Sequence, residues 1–147
     1  LAHGSLAAAG ISRANSKITI TPPGAVVHCD AHRLQRVMTN LLENARRYGA
    51  DHPVELSLIC TPSSLKVEIG DRGPGLTDDE ATLVTRKFVS LGERRGTAGL
   101  GLWIVAEISS AMGGTFVLVP RPGGGLIARV VIPLDSPPEI SARVDPR

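Results

Sequence analysis

Asn40, Asn44, Arg47 and Tyr48 fall four, three and one residues apart, in a segment whose apolar residues recur at helical spacing. The two asparagines, with Arg47 or Tyr48, therefore share one stripe of a helix. Asparagine is an unusual guest in a helix interior, because its amide competes with the backbone for hydrogen bonds. Its carbonyl oxygen is a hard ligand of the kind Mg²⁺ accepts while keeping water and sharing phosphate oxygens. Arg47 is spaced to meet a phosphate, and Tyr48 offers a flat face for stacking on a base. Taken alone, a solvated helix face with a Glu43–Arg47 ion pair accounts for the same residues.

Two glycine-rich segments add to this. Asp71-Arg72-Gly73-Pro74-Gly75 follows directly on a strand pattern. A carboxylate at a strand end, with glycines that permit close backbone approach, suits recognition of a ligand's amino group. An ordinary turn is the simpler reading of that pentapeptide by itself. Gly99-Leu100-Gly101-Leu102 is expected to open a helix, where unshared N–H groups and the helix dipole favour an anion. It is not a Rossmann fingerprint, since no strand leads into a G-x-G-x-x-G turn, and no Gly-Lys-Ser/Thr follows to make a Walker A loop.

The elements that must position these residues read as follows. Ser5–Arg13 is weakly helical, and Ile18–Thr21 is a short half-buried strand stopped by Pro22-Pro23-Gly24. Val26-Val27 is a second short strand. Asp30 reads as the N-cap of a helix to about Tyr48, ended by Gly49, with Leu34, Val37, Met38, Leu41, Leu42 and Ala45 on its core face. Val54–Cys60 and Leu65–Ile69 alternate as a hairpin around Pro62-Ser63-Ser64. From Gly70 to Gly101 regular pattern fades, apart from a short helical piece near Asp79–Lys87, as in a long functional loop. Leu102–Met112 is an apolar helix closed by Gly113-Gly114. Thr115–Val119 and Leu126–Ile132 are strands joined by a Pro/Gly turn at Arg121–Gly125. The expected fold is α/β, a two-layer sandwich with helices on one face of a mixed sheet. Residues 1–16 read as a linker with a helical segment, 17–134 as the domain, and 135–147 as a Pro-rich disordered tail.

Composition narrows the function classes. A formal net charge of +2 with scattered arginines does not suggest nucleic acid as a partner. Cys29 and Cys60 lie far apart without a C-x-x-C, so they read as thiols in a reducing cytosol rather than a zinc site or disulfide framework. No apolar run reaches bilayer length, which suits a cytoplasmic domain, including one anchored to a membrane by a segment outside it.

Together, and in this order, the motifs resemble the GHKL ATPase superfamily, and within it the ATP-binding catalytic domain of two-component sensor histidine kinases. Asn40-Leu41-Leu42-Glu43-Asn44-Ala45-Arg46-Arg47-Tyr48 is similar to that family's N box. Asp71–Gly75 is similar to its G1 box, and Gly99-Leu100-Gly101-Leu102-Trp103-Ile104-Val105 to its G2 box. The resemblance spans Ile18–Leu134 and implies the Bergerat fold with a flexible ATP lid over Thr77–Ala98. It implies that Asn40 and Asn44 hold Mg²⁺, Arg47 meets phosphate and Tyr48 covers the adenine. Asp71 would accept a hydrogen bond from the adenine amino group, with Gly73 and Gly75 lining the pocket and Lys87 also binding ATP. The backbone of Gly99, Leu100, Gly101 and Leu102 would wrap the triphosphate.

One position separates the branches of that superfamily. The gyrase, Hsp90 and anti-sigma-factor kinase branches carry a glutamate general base four residues before the position of Asn44; here that residue is Asn40. An amide cannot take a proton from water or a serine hydroxyl, whereas a neutral imidazole needs less help as a nucleophile. The implied partners are a histidine-containing dimerisation domain, upstream or on a separate chain, and through it a response regulator. His3, His28, His32 and His52 all lack the family's phosphoacceptor context. In the lid, Phe88 stands beside Lys87 with Thr85 in the slot of a second phenylalanine, and Thr97 replaces the glycine expected two before Gly99. That altered lid keeps a nucleotide-binding module without transfer as the alternative; a hydrolase or serine kinase is disfavoured by Asn40.

Overall fold

The computed structural model of the chain describes residues 16–48, 52–72 and 96–140. Helix α1 (Ala31–Tyr48) starts where Asp30 Oδ1 accepts the Arg33 backbone N–H at 3.1 Å, the N-cap geometry expected of an aspartate there. Its apolar residues recur every three or four positions, and Leu34, Val37, Met38, Leu41, Leu42 and Ala45 are all buried. Burying each such Leu or Met contributes about 1.5–3 kcal/mol relative to exposure.

The strands are β1 (Ser16–Thr21), β2 (Ala25–Val26), β3 (Val54–Cys60), β4 (Ser64–Gly70), β5 (Thr115–Pro120), β6 (Leu126–Pro133) and β7 (Glu139–Ile140). Five of them form one mixed sheet in the order β1-β3-β4-β6-β5. β1 runs parallel to β3, and the other neighbours are antiparallel. The β3–β4 turn is fixed by Thr61, whose Oγ1 accepts the Ser64 N–H at 3.0 Å while its own N–H donates to the Ser64 carbonyl. Side chains alternate across a sheet. Leu56, Val67, Ile69, Ala128, Val130 and Ile132 thus join the helices in one core. The opposite face carries Ser57, Lys66, Glu68 and Arg129, with Glu68 paired to Lys66 at 3.2 Å and to Arg129 at 3.5 Å. The result is the expected two-layer α/β sandwich.

Helix α2 (Gly96–Ala111) packs against α1 and against β5 and β6. It ends at Gly113, whose φ of 76° lets the Gly113 N–H reach the Ser110 carbonyl and the Gly114 N–H reach the Ser109 carbonyl. The sequence places the start of this helix at Leu102, because Gly99 and Gly101 lower helix propensity. The structure starts it at Gly96, six residues earlier. The close packing of this helix against α1 outweighs propensity here.

Residues 135–140, placed by composition in a disordered tail, carry β7. It pairs antiparallel with β2, matching Ala25 to Ile140 and Val26 to Glu139. Ser5–Arg13, the short helical piece at Asp79–Lys87 and the lid lie outside the described residues.

Candidate functional site

Asp71 follows the last residue of β4 and is 5% exposed, one of two buried polar residues among those described. Its backbone N–H donates to the Leu126 carbonyl at 2.9 Å, which extends the β4–β6 ladder by one rung. From the other side the β5–β6 turn closes in. Gly125, with φ near 104°, lies so close that a Cβ there would run into the Asp71 carbonyl oxygen. That turn is itself closed by Arg121 N–H to Gly125 carbonyl and Gly124 N–H to Arg121 carbonyl, both at 3.0 Å. A buried carboxylate on a backbone fixed in this way is suited to read a ligand's hydrogen-bond donor.

The second part of the site lies between the helices. Asn40 is half-buried, and its Nδ2 donates to the Arg36 carbonyl at 2.9 Å, which leaves Oδ1 to accept or to ligate. That oxygen faces α2 at Gly101: a Cβ added to Gly101 would stand 3.7 Å from it. Asn44, one turn on, is half-buried as well. An open groove of ≈ 370 Å³ runs over the same side of α1, lined by His32, Gln35, Arg36, Thr39, Asn40 and Glu43. Because α2 begins at Gly96, Gly99, Leu100, Gly101 and Leu102 lie inside its first two turns instead of ahead of it. The unshared amides of that helix end therefore precede Leu100. Leu102 is half-buried and packs on the core.

The structure thus brings Asn40 and Gly101 together and buries Asp71 at the end of β4. Arg47 and Tyr48 close α1, with their side chains outside the described residues; Gly73, Gly75 and Lys87 also lie outside them. Among the described residues no group of three or more His, Cys, Asp or Glu is placed to hold a metal ion, and the oxygen donor beside Gly101 is an amide. Asn40 Oδ1 and the neighbouring Asn44 fit a hard cation's demand for oxygen donors.

Sequence reading misses one group beside Asp71. Glu55 Oε1 accepts from Arg121 Nη2 at 2.8 Å and from Arg72 Nη2 at 3.3 Å. Partial burial pushes the Glu55 carboxyl up, but hydrogen bonds from Arg72 and Arg121 and their charges outweigh it and hold its pKa below the ordinary value. Glu55 and Arg121 are 66 residues apart, so no local spacing announces the pair. Cys29 and Cys60 are free and half-buried. Burial pushes both thiols up, with the Asp30 charge and Cys60 adding to the effect on Cys29. No helix among the described residues is long and apolar enough to cross a membrane.

Residues 29–136 match the family described as histidine kinase-, DNA gyrase B-, and HSP90-like ATPase. The chain is 32% identical over 126 residues to the sensor protein KdpD of Escherichia coli, covering 84% of this chain but 14% of KdpD. It is 30% identical over 122 residues to the sensor histidine kinase component HK1 of Mycobacterium tuberculosis, covering 82% of this chain and 72% of HK1. Its fold superposes on the ATP binding domain of PrrB from Mycobacterium tuberculosis with a TM-score of 0.63 at 28% identity, over 93% of this chain and 91% of that one. With the mixed sheet, the buried aspartate after β4 and the asparagine against the glycine of α2, these likenesses agree: the chain belongs to the histidine kinase-, DNA gyrase B- and HSP90-like ATPase family, in its sensor histidine kinase branch.

Proposed function

We propose that this chain binds Mg-ATP and delivers the γ-phosphoryl group to a histidine on a separate dimerisation and phosphoacceptor domain, upstream or on another chain, which in turn serves a response regulator. The observation that carries this reading is the amide of Asn40 facing Gly101. It offers an oxygen ligand but no base for water or a serine hydroxyl, and a neutral imidazole needs no such base. On this reading residues 17–134 are the catalytic domain, 1–16 a linker and 135–147 a tail, on the cytoplasmic side of any membrane anchor.

In the proposed site Asp71 accepts a hydrogen bond from the adenine amino group, Gly73 and Gly75 line the base pocket, and Tyr48 covers the ring. Arg47 and Lys87 meet phosphates, and the α2 backbone at Gly99, Leu100, Gly101 and Leu102 borders the triphosphate. Asn40 and Asn44 would hold Mg²⁺, which would supply neutralisation of the phosphate charge. An acceptor imidazole nitrogen then forms the N–P bond as the bond from γ-phosphorus to the bridging oxygen of ADP breaks. The chain's own share is positioning and a phosphate cradle.

Incubating the chain with ATP labelled at the γ-phosphate should leave it unlabelled. Adding the cognate dimeric helical protein with its phosphoacceptor histidine should give an acid-labile, base-stable label on that partner. Asn44→Ala, or glutamine in place of the partner's histidine, should abolish it. Label on the isolated chain would overturn the reading, and tight ATP binding without any transfer would make the domain a nucleotide-binding module.

A further inference from the structure

We propose that the Arg72–Glu55–Arg121 ion-pair chain beside the end of β4 is a positioning device for Asp71. The proposal rests on the reading of Asp71 as the acceptor for the nucleotide's base.

The placement of the three residues is what separates them from ordinary surface pairs. Arg72 directly follows Asp71, and Arg121 begins the turn whose last glycine abuts the Asp71 carbonyl. Glu55 ties the two with one oxygen, at 3.3 and 2.8 Å. In the register of the sheet Glu55 lies opposite Gly70, the residue before Asp71, and Gly70 lies opposite Ile127. Gly70 has no side chain, and Arg121 passes over it: a Cβ there would stand 3.7 Å from Arg121 Nε and 3.8 Å from its Cδ. The Arg121 side chain crosses β4 over Gly70 to reach β3 and is only 17% exposed. Asp71 is therefore flanked on the N-terminal side by the residue Arg121 covers and on the C-terminal side by the residue Glu55 holds. Its own N–H is fixed to Leu126. Every covalent neighbour of Asp71 is tied to β3 or to the β5–β6 hairpin, while its carboxylate does the reading.

Isolated exposed ion pairs contribute little to stability, so a general loss of fold is not the expected effect of breaking this one. The expected effect is on base discrimination. Purine riboside triphosphate carries a hydrogen where ATP carries its amino group, so it lacks that donor to Asp71 but keeps the ring nitrogens, sugar and triphosphate. Calorimetric titration of the 147-residue chain with each nucleotide in Mg²⁺ therefore isolates the Asp71 bond as a ratio of affinities. Glu55→Gln and Arg121→Leu should each weaken ATP roughly threefold to fivefold and leave the purine riboside triphosphate unchanged. Asp71→Asn is the control and should collapse the ratio outright. If it does, and the Glu55 and Arg121 variants keep the wild-type ratio or weaken both nucleotides equally, the positioning role is overturned and the cluster only supports the sheet. If Asp71→Asn itself leaves the ratio unchanged, the base-acceptor reading fails, and the positioning role with it. Should Arg121→Leu not fold, Glu55→Gln, which keeps size and shape, decides alone.

Discussion

Replacing Gly125 by alanine tests how far the β5–β6 turn holds the end of β4. Two separable costs follow from the structure. Gly125 has φ near 104°, where an L side chain is strained by about 1–3 kcal/mol. Its Cβ would also meet the Asp71 carbonyl and the Arg72 backbone, neither of which is a flexible side-chain end. The hairpin must then back away, endangering the Asp71 N–H to Leu126 carbonyl bond, itself about 0.5–1.5 kcal/mol. Gly124 is the built-in control, since its φ is 111° but nothing lies within 4 Å of its Cβ position. Gly124→Ala should cost only the backbone strain, and Gly125→Ala about 2–4 kcal/mol in all. At about 4 °C per kcal/mol for a domain of this size, Gly125→Ala should lower Tm by about 8–16 °C and Gly124→Ala by about 4–12 °C, the smaller drop of the two. ATP affinity, measured on both folded variants by the same titration, should fall only for Gly125→Ala. Two variants that melt together and bind ATP equally would refute the claim that this close approach holds Asp71 in place.

Three further outcomes are expected. Leu42→Ala, at a fully buried position of α1, should cost about 2–5 kcal/mol in chemical denaturation, whereas Ile140→Ala, 65% exposed, should stay within about 0.5 kcal/mol. Cys29 and Cys60 should react with a thiol-specific alkylating agent more slowly than a free cysteine at mildly alkaline pH and catch up only as pH rises further, because burial disfavours both thiolates. The Glu55 carboxyl titrates below its ordinary value, so any stability it lends is present above the usual glutamate pKa of about 4.3 and is lost as pH falls through that range. The difference in Tm between wild type and Glu55→Gln should accordingly be visible at neutral pH and shrink toward zero in acid.

What the sequence discloses, and what it hides, follows the range of the interactions. The α1 face is legible because a helix writes its burial every three to four residues, and each of Leu34, Val37, Met38, Leu41, Leu42 and Ala45 is in the core. The β3–β4 hairpin is legible for the same local reason, through alternation and a Pro-Ser-Ser turn. Asp71 is legible as a strand-end carboxylate but its 5% exposure is not, and the neighbours that close on its backbone, Leu126 and Gly125, come from another hairpin. Nor is the Glu55–Arg121 pair legible, since the two meet only after the sheet orders β3, β4, β6 and β5 side by side. The start of α2 was hidden by the opposite fault: local propensity speaks against a helix through Gly99 and Gly101, and contact with α1 overrides it. β7 is not legible because two residues in a Pro-rich stretch carry too little pattern to mark a strand.

The parallel pairing of β1 with β3 has a consequence for the order in which the sheet closes. The β3–β4 hairpin joins neighbours in sequence, and such units form in about 1–10 μs. β1 must wait for the chain to cross over through α1 before Ser16 can stand beside Val54 and Thr21 beside Ile59. Until then β3 is the border of the sheet, presenting unpaired N–H and C=O groups beside Leu56 and Leu58, a template for another chain. β1 replaces that border with a strand whose exposed residues are Lys17, Thr19 and Thr21 with one apolar side chain, Ile20, so that it is less suited to recruit a further strand. A chain trimmed to begin at α1 would keep its helix face and four strands, yet it would hold the vulnerable border permanently. Such a chain is expected to self-associate as its concentration rises, whereas one that retains β1 is not, and sedimentation of the two would tell them apart.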